Sequence, residues 1–223
     1  PAALEGQAGS SDLVFTVTNG TLKLQTLSGL TFNAGGDNTA AMTFSGTVGN
    51  INAALDGMRY NPTQNYEGPA TLGITASDGL LDAQQNVSLI VSGVNDPPQN
   101  NLPATAATPE DVPLVFAGAN LISVTDVDAG TGNIQVAVTV TNGKFTLNPA
   151  ANLTGVTVVG NGTGAVSMTG PLPAINGALN GSTYTPTDHF NTDDTGVKPT
   201  LTLTTNDNGL TEKDGPKTDT NVM

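Results

Sequence analysis

Two carboxylates stand two residues apart in the stretch TDVDAG, Asp126 and Asp128. Side chains at this spacing reach one hard cation if they sit on a loop, because a flat strand would send the intervening residue to the other face. Ala129-Gly130 and Gly132 favour a loop here, although Asp and Gly also build plain solvated turns. A second candidate lies at 92–101, SGVNDPPQNN, where an apolar alternation ends in Asn95-Asp96 and then Pro97-Pro98. Two prolines fix φ and hold the chain extended, so this segment reads as a stiff boundary.

Other chemistries find less support. With no cysteine in the chain, thiolate zinc sites, a disulfide framework and a Cys nucleophile are excluded. The one histidine, His189, follows Asp188, but no strand-turn-helix carries a serine nucleophile to meet it. Glycoside hydrolysis needs two carboxylates across a cleft, and the acids here fall toward predicted domain ends. The Gly-rich stretches NAGGDN (33–38) and GNGTG (160–164) lack the lysine and following helix of a phosphate loop. The expectation is a protein that is not an enzyme.

The 19 acidic residues against 6 basic ones, net −13, argue against nucleic acid and against an anionic membrane surface, since both require basic patches. No apolar run is long enough to span a bilayer, so direct membrane insertion is not expected. The chain is 37% hydrophobic but only 4% aromatic, so Val, Leu, Ile and Thr must form its cores. Its 27 Gly and 14 Pro point to short strands and many turns.

An internal repeat organises all of this. TVTNGTLKL at 16–24 returns as TVTNGKFTL at 139–147, and INAALDGMRYNPT at 51–63 returns as INGALNGSTYTPT at 175–187. LGITASDGL at 72–80 returns more loosely as LTLTTNDNGL at 201–210. Asn19-Gly20 and Asn142-Gly143 predict β-hairpins with type I′ turns. INAAL, with apolar residues at helical spacing, predicts a short crossover between sheets. Tyr60 and Tyr184 are expected to plug one end of each core, and Asp78 to precede the turn between the last two strands. Asn65, the counterpart of His189, is no base, so nothing in the module requires the histidine. Short strands, turn signals and no long helical period give an all-β chain of two tandem antiparallel β-sandwiches, residues 1–96 and 97–223. The first copy has only PAALEGQAGSSD ahead of its hairpin, where the second has a long lead-in. Its opening strand is therefore expected to be missing, as in a slice of a longer array.

The ordered set of motifs resembles the cadherin repeat. Ala76-Ser77-Asp78 matches its A-x-D strand, Asn95-Asp96 the N-D of its linker, Pro109-Glu110 its first-strand P-E, and Asp126-Val127-Asp128 its D-x-D. The TNG and INxALxGxxYxPT blocks are similar, more narrowly, to cadherin-like repeats of large secreted bacterial adhesins. The resemblance implies a cadherin- or immunoglobulin-like sandwich with Ca2+ at the junction. The implied junction ligands are Glu67, Asn95, Asp96, Asp126, Asp128 and Asp207, the last being the counterpart of Asp78. Glu110, Asp111, Asp193 and Asp194 are the implied set at the far pole of the second domain. Two departures matter: Gly93 stands where the family's linker has its first acid, and Glu5-Gly6-Gln7 stands at the first copy's D-x-D position. Fewer ions than the family's three are expected. The implied function is a calcium-rigidified extender and adhesion module, extracellular, on a cell surface or secreted. Its partners would be neighbouring repeats of the same chain, a cell-surface glycan or another adhesin copy. The alternative is a carbohydrate-binding or homotypic-binding module, which the absence of Trp weakens.

Overall fold

The computed structural model describes residues 11–209 and 214–223, with all their side chains except those of residues 194 and 195. The chain is all-β, and it divides between Gly93 and Val94 into two compact units. This division places Asn95 and Asp96 in the second unit, because it falls slightly ahead of the boundary that the limits 1–96 and 97–223 expect. No helix among the described residues is long and apolar enough to cross a membrane.

The first unit runs β1 (Ser11–Val17), β2 (Gly20–Lys23), β3 (Leu30–Gly35), β4 (Ala41–Gly46), α1 (Val48–Leu55), β5 (Arg59–Pro62), β6 (Gly68–Ser77) and β7 (Asp82–Val91). Its strands form a five-stranded sheet, β3-β4-β1-β6-β7, and a two-stranded one, β2-β5. Alternation in SDLVFTV turns Leu13, Phe15 and Val17 inward, because side chains along a strand point to opposite faces in turn. Phe15 stacks on Phe44 of the neighbouring β4, ring centroids 5.8 Å apart.

The second unit runs β8 (Gln99–Asn101), β9 (Leu114–Phe116), β10 (Ser123–Thr125), β11 (Asn133–Val140), β12 (Gly143–Thr146), β13 (Thr157–Val159), β14 (Ala165–Pro171), α2 (Leu172–Leu179), β15 (Ser182–Pro186), a single turn α3 (Thr192–Thr195), β16 (Leu201–Asn206) and β17 (Thr218–Val222). The five-stranded sheet β13-β14-β11-β16-β17 has the topology of the first unit's large sheet. Beside it lie a three-stranded sheet, β12-β15-β9, and the pair β10-β8. Its core draws Ile134, Val136 and Val138 from the large sheet, Phe116 and Phe145 from the three-stranded one, and Ile175 and Ala178 from α2. Each such side chain, once fully buried, contributes on the order of 1.5–3 kcal/mol.

The predicted hairpins are not hairpins. β1 pairs with β4 and β6, whereas β2 pairs with β5 in another sheet, so Asn19-Gly20 is a corner between sheets. Asn142-Gly143 is the same corner between β11 and β12. A type I′ turn needs positive φ at both central residues; here Asn19 and Asn142 have it, at 57° and 53°, but their glycines do not. What fixes the corner is a tyrosine from the adjoining strand. The Tyr184 hydroxyl donates to the Asn142 carbonyl at 2.8 Å, and Tyr60 donates to Asn19 at the same distance. Glycine follows the asparagine because a Cβ at Gly143 would collide with the Tyr184 ring and the Thr185 carbonyl, and one at Gly20 with Tyr60 and Asn61.

The short helices cross between sheets as the INxAL blocks predict. Each is eight residues, with Ile51 and Ala54, or Ile175, Ala178 and Leu179, buried at i, i+3, i+4 spacing. Thr47 caps α1 by accepting the Asn50 N–H. Pro109-Glu110, matched to a first-strand motif, lie instead outside the strands, between β8 and β9.

Candidate metal centre

Strand parity creates the centre. Leu201, Leu203 and Thr205 of β16 face inward, and the alternation carries on past the strand's end to Asp207, which is 0% exposed. A carboxylate in that position must have its lone pairs met. Asp207 Oδ1 accepts the N–H groups of Gly209 at 2.8 Å and Lys217 at 2.7 Å, and Oδ2 accepts the Asn95 side-chain amide at 2.7 Å. Asn95 is equally buried, and its amide nitrogen also donates to the Gly215 carbonyl at 2.9 Å. Asn95 at the start of the unit and the Gly209 and Lys217 N–H groups beyond β16 thus meet at one carboxylate.

The loop after β10 brings the D-x-D pair to the same place. Asp126 Oδ1 accepts the Asp128 N–H at 2.9 Å, closing a local turn, and Asp128 Oδ2 accepts the Asp96 N–H at 2.5 Å. Burial pushes the Asp126 carboxyl above its ordinary value, and the charges of Asp207 and Asp128 push the same way, against the lowering effect of N–H groups from Asp128 and Ala129. Among the described residues, two buried oxygens have no hydrogen-bond partner: Asn95 Oδ1 and Asp126 Oδ2. Buried polar atoms in folded proteins are almost always satisfied, so a pair of orphan acceptors calls for a positive group. Among the described residues no three His, Cys, Asp or Glu side chains are grouped as a metal cage. The set here mixes carboxylates with an amide oxygen, a mixture that suits Ca2+, which takes six to eight oxygens of any of these kinds.

The other expected residues fall elsewhere. Glu67, in the first unit, is exposed, and its carboxylate fills the space that a side chain at Gly93 would occupy. Asp78 is exposed and forms a turn: its Oδ1 accepts the N–H groups of Leu80 and Leu81, each at 2.9 Å. Those two bonds, Leu81 first, hold its carboxyl below the ordinary range. Glu110 accepts from the Asn191 amide at 3.2 Å, and Asp111 accepts the His189 N–H at 2.8 Å. Asp193 joins Glu110, Phe190 and Lys198 around a cleft of about 550 Å3. The Asp194 side chain and the Glu5-Gly6-Gln7 stretch lie outside the described residues. His189 is a surface loop residue, its side chain 90% exposed, with φ at 56°; Asn65 has the matching φ of 58°.

Two contributions were not foreseen. One comes from residues just ahead of β17, the Gly215 carbonyl and the Lys217 N–H. The other is Asn100, whose amide donates to the Leu203 and Asp219 carbonyls at 3.1 and 3.0 Å while its oxygen accepts the Thr205 hydroxyl at 2.6 Å. The signal for the first was present: Asp207 is separated from the next strand by a longer stretch than Asp78 is.

No protein-family model matches the chain, and no curated protein matches it. Among solved structures it is similar to one endo-fucoidan hydrolase from glycoside hydrolase family 107 at 15% identity and TM-score 0.23, over 92% of this chain and 27% of that one. A second from the same family aligns at 15% identity and TM-score 0.22, over 94% and 23%. The chain spans about a quarter of the length of these proteins.

Proposed function

We propose that the chain is a tandem pair of cadherin-like β-sandwiches from a long extracellular adhesin or surface protein, and that Ca2+ stiffens the entry into its second unit. The reading rests on one observation: two buried oxygens, on Asn95 and Asp126, that have no partner among the described residues and lie among the carboxylates of Asp128 and Asp207. Asn95, Asp96, Asp126, Asp128 and Asp207 would hold the ion, whose charge offsets the mutual repulsion of the acids. Asn95 and Asp96 are already tied to Asp207 and Asp128, so an ion there fixes the chain where it enters the unit. Pro97-Pro98 extends that stiffness along the backbone. The work is mechanical: repeats joined this way project a distal binding end, with neighbouring repeats as the immediate partners and no chemistry on a substrate.

Binding that favours the folded unit adds RT ln(1 + [Ca]/Kd), about 2.7 kcal/mol at a hundredfold excess over Kd. Melting and small-angle scattering with calcium and with chelator test the proposal. Calcium should raise the melting temperature and extend the particle. The double substitution Asp126→Ala with Asp128→Ala should remove both responses, and a response retained in that variant would move the site elsewhere.

A further inference from the structure

β8 and β10 pair with each other, and each turns an outer edge of backbone groups toward the rest of the second unit. Side chains meet those edges where a neighbouring strand otherwise would. Val124 of β10 lies opposite Asn100 of β8. On the β10 side, Asn176 of α2 donates to the Val124 carbonyl at 2.8 Å and accepts the Val124 N–H at 2.9 Å. On the β8 side, the Asn100 N–H donates to Asp219 Oδ2 at 2.7 Å, and its amide donates to carbonyls of both β16 and β17, at Leu203 and Asp219. The Asn100 oxygen accepts the hydroxyl of Thr205, a fully buried residue. Buried backbone groups require such partners, and here one asparagine serves two strands.

Every segment that meets at Asn100 carries part of the metal centre a short way along the chain. Asp96 stands four residues before it, across Pro97-Pro98, whose fixed φ passes the position of one end to the other. Asp126 directly follows β10, the strand that β8 pairs with. Asp207 stands two residues beyond Thr205, on the same inward parity. Lys217, whose N–H meets the Asp207 carboxylate, is two residues before Asp219. The strand itself does not require Thr205, because Ala76 fills the equivalent place in β6, ahead of the exposed Asp78. The hydroxyl accompanies the buried centre.

We infer that Asn100 is the positioning residue of the metal centre. Its side-chain atoms are engaged by protein partners, so it acts on an ion only through the ligands it places. It holds β8, β16 and β17 in the register that brings Asn95, Asp96, Asp126 and Asp207 together. Without its side chain the entry segment loses its grip on Leu203, Thr205 and the Asp219 carbonyl, and the oxygens are no longer assembled ahead of the ion. Residues that orient metal ligands in this way set affinity by about 10–100-fold. The inference rests on the calcium reading of this site and adds to it the residue that governs how tightly the ion is held.

Calcium titrated into the full chain by calorimetry, beside hydrogen exchange in chelator, tests it. Asn100→Ala should weaken calcium binding about tenfold, with the number of ions per chain unchanged. Thr205→Val keeps the buried shape and removes only the hydroxyl, so it should weaken binding about threefold, and it serves as the test if Asn100→Ala does not fold. Tyr184→Phe, which loosens the same unit at the corner between β11 and β12, should leave the affinity unchanged. In chelator the Asp96 N–H, held by Asp128, should exchange faster in the Asn100 and Thr205 variants and not in Tyr184→Phe. Affinity unchanged in Asn100→Ala and Thr205→Val, or lowered as much by Tyr184→Phe, would overturn the inference. A wild-type chain that takes up no calcium would instead overturn the calcium reading. The Asp96 N–H would then decide the positioning role alone, faster exchange supporting it and unchanged exchange overturning it.

Discussion

Asp78 and Asp207 hold the same place in the two repeats, yet one is an exposed turn residue and the other a fully buried hub. Both follow a strand whose alternation points them the same way. The difference lies in what arrives afterwards. After Asp78 the chain turns directly into β7, and the carboxylate accepts two N–H groups of its own turn. After Asp207 a longer stretch of sequence precedes β17, and the Lys217 N–H and the Gly215 carbonyl near its end reach the site, while Asn95 closes the third side. Parity sets where a side chain points; the segments that cover it decide whether it titrates in water or holds a structure together.

The largest expected effect follows from that contrast. Asp207→Ala would leave the Gly209, Lys217 and Asn95 donors buried and unmet, costing the second unit about 3–5 kcal/mol even in chelator. Asp78→Ala should lower the melting midpoint far less, since its two N–H bonds close an exposed turn that water can satisfy; equal losses from the two substitutions would erase the distinction. Next comes Gly143→Ala, which forces a Cβ against the Tyr184 ring and the Thr185 carbonyl and should cost about 1–3 kcal/mol by urea unfolding. If the residue sat in a free hairpin turn instead of a corner, the cost would fall below that range. Tyr184→Phe removes a part-buried hydroxyl bond and should cost about 1 kcal/mol, more than Tyr60→Phe, whose hydroxyl is exposed.

The smallest effect is a difference in sign with pH. Asp126 is raised by burial and neighbouring charge, so without metal its contribution is full below the ordinary carboxylate value and is lost as pH rises through its raised value. Asp78 is lowered by backbone N–H groups, so its contribution is present above the ordinary value and is lost as pH falls through its lowered one. Carboxyl NMR titration in chelator should therefore place Asp126 above the usual range and Asp78 below it. The same order in reverse would contradict the environments described.

Much of this was legible in the sequence, for physical reasons that can be named. Alternation in SDLVFTV and in LTLTTND fixes strands and faces, down to the inward parity of Asp207. Spacing in TDVDAG indicates a loop with both acids on one side, and Asp126 and Asp128 do lie in a loop between β10 and β11. The Asn-Gly pairs misled, because a corner and a type I′ turn both use an asparagine at positive φ. The distinguishing partner, a tyrosine about forty residues away, is a tertiary fact. The extra length between Asp207 and β17 was visible, but not that Gly209 and Lys217 would meet its carboxylate, since such contacts are encoded in no local pattern.

Calcium counted on the purified full chain, by equilibrium dialysis with metal analysis, tests the central claim most directly. The expected result is at least one ion bound per wild-type chain, and fewer in Asp126→Asn. Neutralising that acid should also leave the metal-free protein as stable as the wild type or more so, because it removes a desolvated charge that Asp207 and Asp128 repel. A wild-type chain that retains no calcium, or an Asp126→Asn chain that binds as many ions as the wild type, would contradict it.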